Sequence, residues 1–466
     1  MAGIKTRKLA NAFVILSVAF LFFILSSSSL GLIGNAAEDW PMFHHDVAHS
    51  GYSVSTLAAS SPTLLWNYTT NSVVWASPAI VDGCVYVGSD GGIAYCLNAS
   101  DGSQIWNYTL SSTARGGSPI GSSMAVAEGY VYFGSYDRDI YCLNASTGDK
   151  VWNYSTAGTV ESCPAVANGF VYVGSWDGNI YALNSVTGAK LWNFTAGGLV
   201  ESSPAVVGNR VYVGSTNSRV YCLDASSGVE VWNYTTGNIV QSSPAVVGDY
   251  VYVGSEDNNV YCLSATDGSR IWNYTTPGWV DSSPAIVNGY VYVGSWALDA
   301  NQNDLPSNVY CLNASTGARI WNYTTDGGVN SSPAVAGGYL YVGGWDHNVY
   351  CLNASTGAQI WVFPTRNHVN SSPAIVNGLL YVGSWDHNVY AFGTLPAEAS
   401  PSESALQTPP ISPSTSETAT HMPSPQPTNS FQTEIAYLVI AVTIAVIVVV
   451  SIVARRRRFS RKGTEG

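Results

Sequence analysis

The chain has 466 residues, of which only 10% are charged, well below the usual quarter of a globular domain. Its formal net charge of −12 argues against a nucleic-acid-binding protein, because no basic stripe occurs outside the two termini. With 45 Gly, 29 Tyr and 15 Trp in short strand-like runs, the composition predicts an all-β fold.

Residues 1–37 have the pattern of a secretory signal peptide. Lys5, Arg7 and Lys8 precede an apolar run that ends at about Leu25, and the small residues of "GNAA" at 34–37 offer a cleavage site. An uncleaved anchor is the alternative, because the apolar run is long for a signal. A lipid-anchored lipoprotein is excluded, since no cysteine precedes Cys84. The signal predicts that the chain leaves the cytoplasm.

Residues 38–393 repeat one unit of about 40 residues. Each unit has four short β-type runs, as in Pro-Ala-Val, Val-Tyr-Val-Gly, Val-Tyr-Cys-Leu and Ile-Trp-Asn-Tyr, separated by Asn-Gly, Asp-Gly or Thr-Gly turns. These runs are apolar on both faces, so one unit cannot bury itself, whereas units stacked radially can.

The repeat count predicts an eight-bladed β-propeller. Eight copies of the first three strands are offset from eight tryptophan strands, so the orphan strand at 64–69 must complete the last blade after "VYAFG" at 389–393. The ring is then closed by the N-terminal strand. Each repeat tryptophan is expected to wedge between neighbouring blades: Trp66, Trp106, Trp152, Trp192, Trp232, Trp272, Trp321 and Trp361.

One position of each first strand is expected to line a mouth of the central channel. It stands two residues before the Ser-Pro or Cys-Pro of the repeat and varies in type from copy to copy. Arg115, in an insertion of the second unit, is expected nearby and completes a candidate site for a cation or a small polar ligand. The ordinary interpretation of these positions is a hydrated polar channel, and the ligand site is the alternative to it. The candidate rim residues are Trp75, Glu161, Glu201, Gln241, Asp281, Asn330 and Asn370, with Gly121 in the second copy.

The repeat also carries many Asn-x-Ser/Thr sequons. On a secreted surface that is poor in charge we predict glycosylation of several of them, although a copied accidental sequon explains part of the number. Candidates in the outer strand are Asn67, Asn107, Asn153, Asn193, Asn233, Asn273 and Asn322, and candidates in the preceding turn are Asn98, Asn144, Asn313 and Asn353.

Cysteine and acid clusters give weaker signals. The cysteines that recur at one repeat position are expected to be buried thiols, because equivalent positions on packed sheets lie too far apart to bridge. A Cys84–Cys96 pair across a hairpin is the one exception considered. The insertion "DANQND" has oxygen ligands at alternate positions and is a weak calcium candidate through Asp299, Asn301, Asn303 and Asp304.

The C-terminal part predicts a membrane anchor. Residues 394–433 are rich in Pro, Ser and Thr and indicate an extended stalk. Residues 434–454 form an apolar run long enough for a transmembrane helix. The basic residues of 455–466 predict a cytoplasmic tail, which places the propeller outside the cell.

The segment "YCLNASTGARIW" at 310–321 resembles the tryptophan-docking repeat of the PQQ-like propellers. This family includes the quinoprotein alcohol dehydrogenases and the outer-membrane-protein assembly lipoprotein, and "DWPMFHHDVAHSGYS" at 39–53 is similar to its lead-in segment. The aspartate of the family motif is asparagine in most copies here and is retained only at Asp224. The resemblance implies the fold, and for the dehydrogenases it implies PQQ with calcium.

The sequence therefore predicts a non-catalytic, cell-surface binding or scaffolding propeller without a cofactor. Its expected partner is an extracellular protein or a glycan, and it is expected to be a monomer. The adjacent-cysteine pair that is common over the cofactor in the dehydrogenases is missing here. The alternatives are a PQQ-dependent oxidoreductase, with Glu161, Glu201 and Asp281 near metal and quinone, and an envelope protein assembly factor.

Overall fold

The second and third strands of every repeat are apolar on both faces, and this decides how the repeats pack. In Val131–Phe133, for example, three consecutive side chains are buried, which requires cover on both sides of the sheet. The computed structural model describes residues 38–55, 63–111, 118–299 and 303–393. Within these ranges the chain forms eight antiparallel sheets, and no helix long and apolar enough to cross a membrane occurs there.

Seven blades each take four consecutive strands, from the innermost to the outermost. Blade one comprises Ala79–Val81, Cys84–Ser89, Ile93–Asn98 and Gln104–Thr109. Blade two comprises Ala125–Ala127, Tyr130–Gly134, Asp139–Asn144 and Lys150–Ser155. Blade three comprises Ala165–Ala167, Phe170–Gly174, Asn179–Asn184 and Lys190–Thr195. Blade four comprises Ala205–Val207, Arg210–Ser215, Arg219–Asp224 and Glu230–Thr235.

The same order continues around the ring. Blade five comprises Ala245–Val247, Tyr250–Ser255, Asn259–Ser264 and Arg270–Thr275. Blade six comprises Ala285–Val287, Tyr290–Gly294, Ser307–Asn313 and Arg319–Thr325. Blade seven comprises Ala334–Ala336, Tyr339–Gly343, Asn348–Asn353 and Gln359–Pro364.

Blade eight closes the ring by strand exchange. It takes Ala374–Val376, Leu379–Gly383 and Asn388–Gly393 from the end of the described chain, and its outermost strand is the N-terminal Thr63–Thr69. This strand pairs antiparallel with Asn388–Gly393, with Trp66 opposite Ala391. The first strands of neighbouring blades contact each other all the way around, including blade eight with blade one. The predicted eight-bladed propeller and its closure by the N-terminal strand are thereby confirmed.

A belt of hydrogen bonds joins the first strands just before they begin. The backbone N–H of one residue in each blade donates to the side chain of the equivalent residue in the next blade, over 2.9–3.2 Å. The belt is complete, and its sulfur member accepts through Sγ. Its members are Ser77, Ser123, Cys163, Ser203, Ser243, Ser283, Ser332 and Ser372. The Ser-Pro of the repeat is therefore an inter-blade joint.

The outer part of each interface has its own repeated contact. In blade three, the indole of Trp192 donates to the carbonyl of Ala225 in blade four over 3.0 Å, and Tyr172 donates to the same oxygen over 3.1 Å. The following turn glycine, Gly228, lies against the face of Trp192. Seven repeat tryptophans bond in this way to the next blade at 2.8–3.0 Å.

Residues 38–55, named here the lead-in segment, run once around the inside of the ring. Their backbone pairs with the open edges of the first strands, at Ile80 of blade one, Val126 of blade two and Val206 of blade four. The circuit continues at blades five and six and ends with Tyr52–Ser53 as a short parallel strand on blade seven. Glu38 closes the circuit by accepting hydrogen bonds from the hydroxyl of Ser53 and the N–H of Val54, at 2.8 and 2.9 Å.

Candidate binding site at the channel mouth

The predicted rim residues all lie at the mouth where the first strands begin. They are half-buried, and we name them the rim ring: Trp75, Gly121, Glu161, Glu201, Gln241, Asp281, Asn330 and Asn370. Arg115 belongs to 112–117, which lies outside the described residues, so its place at this mouth stays a prediction.

A second ring at the same mouth was missed by the sequence reasoning. Its members stand fifteen residues after each rim residue, in the turn after the second strand. In every blade the backbone N–H of this residue bonds to the carbonyl two residues before the rim residue. We name it the turn ring: Asp90, Tyr136, Trp176, Thr216, Glu256, Trp296, Trp345 and Trp385. The signal that could have found it is the constant spacing of two residues after the glycine of the Val-Gly or Phe-Gly motif in each repeat.

Five carboxylates of the two rings occupy one side of the mouth, from blade one to blade six. We name them the carboxylate arc: Asp90, Glu161, Glu201, Glu256 and Asp281. Burial raises the pKa of each of the five carboxyls. Neighbouring carboxylates raise the pKa of three of them further, Glu161 through Asp90, and Glu201 and Asp281 through two acids each.

The electrostatic coupling shows which predicted acids come together. Burial, then Glu161 and Glu256, raise the pKa of Glu201 to about 7. Burial, then Glu256 and Glu201, raise the pKa of Asp281 to about 7. Glu161, Glu201 and Asp281 therefore form one electrostatic cluster, and Glu256 of the turn ring links the last two. Because like charges repel and two of these pKa values lie near neutral pH, the cluster favours the uptake of a proton or another cation.

Indole side chains occupy the other side of the mouth. We name Trp296, Trp345, Trp385 and Trp75, from blades six, seven, eight and one, the aromatic arc. Successive ring centroids lie 4.7, 5.5 and 4.2 Å apart. Trp75 also donates through Nε1 to Asp90 over 2.9 Å, and this bond joins the two arcs.

Several polar atoms at this mouth are buried without a hydrogen-bond partner among the described residues. They include acceptor oxygens, Oδ1 of Asp281 and Oδ1 of Asn330, and donor indoles, Nε1 of Trp176 and Nε1 of Trp385. By contrast, Asn370 accepts from Trp345 over 3.2 Å. A buried polar group without a partner costs about 1–3 kcal/mol, so these atoms are positions where ordered water or a ligand can supply the missing hydrogen bond.

The residues present do not fit the quinone and calcium that the resemblance implies. Within the described ranges, no three Asp, Glu, His or Cys side chains converge closely enough to hold a metal ion. The charged groups that act on the carboxylate arc are other carboxylates, and these repel a quinone that is itself a polycarboxylate. The charged side chains of the rim ring and the turn ring are all carboxylates.

The remaining predicted sites lie away from this mouth. The seven outer-strand sequon asparagines are exposed, and the four turn asparagines are half-buried. In the "DANQND" insertion, Asp299 accepts from Asn303 and Asp304 accepts from Trp296, whereas Asn301 lies outside the described residues. Use of the sequons and of this insertion stays a prediction.

The cysteines are thiols in the structure. Seven are buried and Cys84 is half-buried, and none is paired. Cys84 and Cys96 are not paired in the structure, although they are diagonal neighbours in the hairpin, where Cys84 stands opposite Asn98 and Cys96 opposite Tyr86. Burial, and then the Cys84 thiol, raise the pKa of the Cys96 thiol.

Comparison with known proteins identifies relatives of the whole ring. Residues 50–118, 112–238, 217–302 and 306–400 match the model of the family described as outer membrane protein assembly factor BamB. No curated protein sequence matches the chain.

Solved structures share the fold. BamB from Moraxella catarrhalis has a TM-score of 0.60 at 19% identity, over 72% of this chain and 100% of that chain. A europium-containing methanol dehydrogenase has a TM-score of 0.67 at 14% identity, over 77% of this chain and 98% of that chain. The quinohemoprotein alcohol dehydrogenase from Comamonas testosteroni has a TM-score of 0.66 at 18% identity, over 79% of this chain and 83% of that chain.

Proposed function

Because this chain belongs to the family of the outer membrane protein assembly factor BamB, a family of PQQ-like propellers, we propose that it is a non-catalytic binding propeller. Its recognition site is the channel mouth, where a partner contacts the carboxylate arc and the aromatic arc together. The partner is an extracellular protein or a glycan. The observation that carries this proposal is the division of one mouth into an acidic side and an indole side, with unpartnered polar atoms on both.

The proposed location follows from the sequence alone. The signal at 1–37, the stalk at 394–433, the transmembrane helix at 434–454 and the cytoplasmic tail at 455–466 lie outside the described residues. With these segments as predicted, the propeller stands outside the cell on a stalk, anchored by one membrane span. Several sequon glycans on the outer strands would then cover the outer edge of the propeller.

An envelope protein assembly factor is the second candidate, because the family model carries that description over more than half of the chain. In that function the same mouth would receive a segment of another envelope protein. The predicted C-terminal anchor distinguishes this chain from a lipoprotein and favours a fixed position at the cell surface. A PQQ-dependent oxidoreductase is the competing enzyme hypothesis. The carboxylates of the mouth disfavour it, because they repel a polycarboxylate quinone.

The function is tested on the purified full chain. We expect PQQ with calcium to give no saturable change in the visible spectrum and no dye-linked oxidation of alcohols. On arrays of glycans and peptides, we expect selective retention that Trp385→Ala abolishes. The matched control is Val231→Ala, at an exposed position of an outer strand.

Two results would overturn the proposal. One is PQQ binding with turnover, which would make the protein an oxidoreductase. The other is a Trp385→Ala variant that is folded, as judged by thermal unfolding, and is retained on the arrays as well as the parent chain is. Binding would then occur elsewhere on the molecule.

A further inference from the structure

Resting on the proposed binding function, we infer that the chemical group recognised at this mouth is an alkylammonium, as carried by a lysine side chain or a free amine. The carboxylate arc takes the positive charge and the aromatic arc takes the alkyl chain next to it. Neither a metal ion nor an anion meets both sides of the mouth.

The first step is the charge of the mouth. Glu161, Glu201 and Glu256 are half-buried, and the charged groups that act on their pKa values, where any do, are carboxylates. Asp281 of blade six follows Glu256 of blade five, and burial, then Glu256 and Glu201, raise the pKa of its carboxyl. An ammonium group at the centre of the arc would relieve the repulsion between several of these groups at once.

The second step concerns two acceptor oxygens that have no hydrogen-bond donor. Oδ1 of Asp281 is inaccessible to solvent and has no hydrogen-bond partner, and Oδ1 of Asn330 in the next blade is in the same state. An ammonium group has three N–H donors and no acceptor, so it can satisfy these oxygens without adding an acceptor of its own. A ligand whose polar atoms are all acceptors would leave these oxygens unpaired.

The third step is the indole side. Trp345 and Trp385 belong to the aromatic arc, which begins at blade six, the blade that also carries Asp281. Indole faces attract cations and pack against methylene groups, which matches an ammonium on an alkyl chain better than a bare ion. The unpartnered N–H of Trp385 fits a carbonyl oxygen beside such a chain, as in a lysyl peptide.

The fourth step separates an organic cation from a metal. Calcium requires six to eight oxygens at about 2.3–2.6 Å. No three acid, histidine or cysteine side chains of the described residues come together in that way. Ammonium groups tolerate longer and more scattered contacts, which is the geometry of a broad arc.

The inference is tested by calorimetric titration of the full chain with a pentalysine peptide. We expect saturable binding that weakens roughly ten-fold or more in Glu201→Gln and in Asp281→Asn. Asp249→Asn, in an exposed turn after the first strand of blade five, is the charge-matched control and should change the affinity less than about two-fold. The same peptide acetylated at every Nζ should not bind.

The titration arms distinguish the source of the ammonium group. If n-butylamine binds at the same site with an affinity within about ten-fold of that of the peptide, a free amine is sufficient as the ligand. If the affinity of the peptide is more than about a hundred-fold higher, the ligand is a lysine-bearing protein. Equal binding of the acetylated peptide, stoichiometric displacement by calcium chloride, or unchanged affinity in both mouth variants would overturn the inference. If one of these results occurs but Trp385→Ala still abolishes retention on the arrays, the ammonium inference is wrong and the proposed binding function is retained.

Discussion

Two histidines of the lead-in segment are buried against the first strands. His49 bonds through Nδ1 to the carbonyl of Pro244 at 3.0 Å, and His44 bonds through Nδ1 to the carbonyl of His49 at 3.2 Å. Burial lowers the pKa of each imidazole to about 4, and the neighbouring His49 lowers the pKa of His44 further. Both rings are therefore neutral in the folded protein above about pH 5.

These pKa values predict acid-sensitive stability. An unfolded histidine takes up a proton near pH 6.5, whereas the buried rings stay neutral down to about pH 4. The contribution of these two histidines to the free energy of unfolding is therefore fully present above pH 6.5 and is lost as the pH falls from about 6.5 to 4. The loss is on the order of 3 kcal/mol for each ring. Burial and neighbouring acids raise the pKa of Glu201 and of Asp281 to about 7, so the stability that these carboxyls contribute falls as the pH rises and acts in the opposite direction over the same range. The histidine contribution is therefore measured as the difference between the parent chain and a histidine variant in thermal unfolding from about pH 7.5 to 4.

A variant isolates this contribution. His49→Gln should remove about half of the histidine-dependent loss of stability on acidification, while His387→Gln, at an exposed turn, should leave the pH dependence unchanged. Equal slopes in the parent chain and in His49→Gln would contradict the assignment.

Two turn glycines separate backbone strain from packing. Gly188 has φ +69° and a Cβ there would lie 2.7 Å from the ring of Trp152, whereas Gly169 has φ +79° and open space around its Cβ direction. We expect Gly169→Ala to cost about 1–2 kcal/mol for the left-handed backbone alone. Gly188→Ala should cost about 1–3 kcal/mol more because the indole must move.

Chemical denaturation of both glycine variants measures this difference. Equal losses of stability would show that the indole is not held against the turn.

The belt between the first strands is the element that joins the blades near the axis. Ser203→Ala removes the acceptor of the Cys163 N–H, which is buried, and should lower the free energy of unfolding by about 1–3 kcal/mol. Cys163→Ser replaces the one sulfur acceptor by a hydroxyl and should leave stability unchanged or raise it by up to about 1 kcal/mol. Urea denaturation monitors both variants.

A loss of stability in Cys163→Ser equal to that in Ser203→Ala would contradict the belt. The joint would then depend on side-chain size rather than on the hydrogen bond.

The whole ring depends on its latch, the strand Thr63–Thr69. Trp66 and Trp232 make equivalent bonds to the next blade, both at 3.0 Å, but Trp232 belongs to a hairpin whereas the strand of Trp66 pairs with residues over 300 positions away. Either change to Ala removes a buried indole and should cost about 3–5 kcal/mol. Only Trp66→Ala should also break the single cooperative transition, because it loosens the closure of the ring.

Fluorescence and hydrogen exchange, followed through the same denaturation, test the latch. Coincident transitions in Trp66→Ala and in Trp232→Ala would show that closure does not depend on this strand.

Repetition explains how far the sequence could predict this molecule. Eight offset copies indicated the blade number, and the orphan strand at 64–69 indicated the closure, because each follows from counting. The rim acids Glu161 and Glu201 were found as the variable position of a constant motif. Glu256 and Asp90 were missed, since their turn position holds Trp in four copies and an acid in only two. Only the ring brings that turn to the mouth.

The path of the lead-in segment could not be predicted, because it occurs once and has no period. The place of His49, for example, follows from its bond to Pro244, which lies 195 residues later in the chain. Long-range contacts of this kind leave no local pattern in a sequence.

The circuit of the lead-in segment has a consequence for how such a chain can grow. The segment reaches from Ile80 in blade one to Val335 in blade seven and then returns to its own Glu38. It therefore acts as a gauge of fixed length inside the ring. Duplication of one 40-residue repeat, an easy genetic event in so regular a sequence, would widen the circumference beyond the span of this gauge. The blade number is thus held constant by the one part of the propeller that does not repeat.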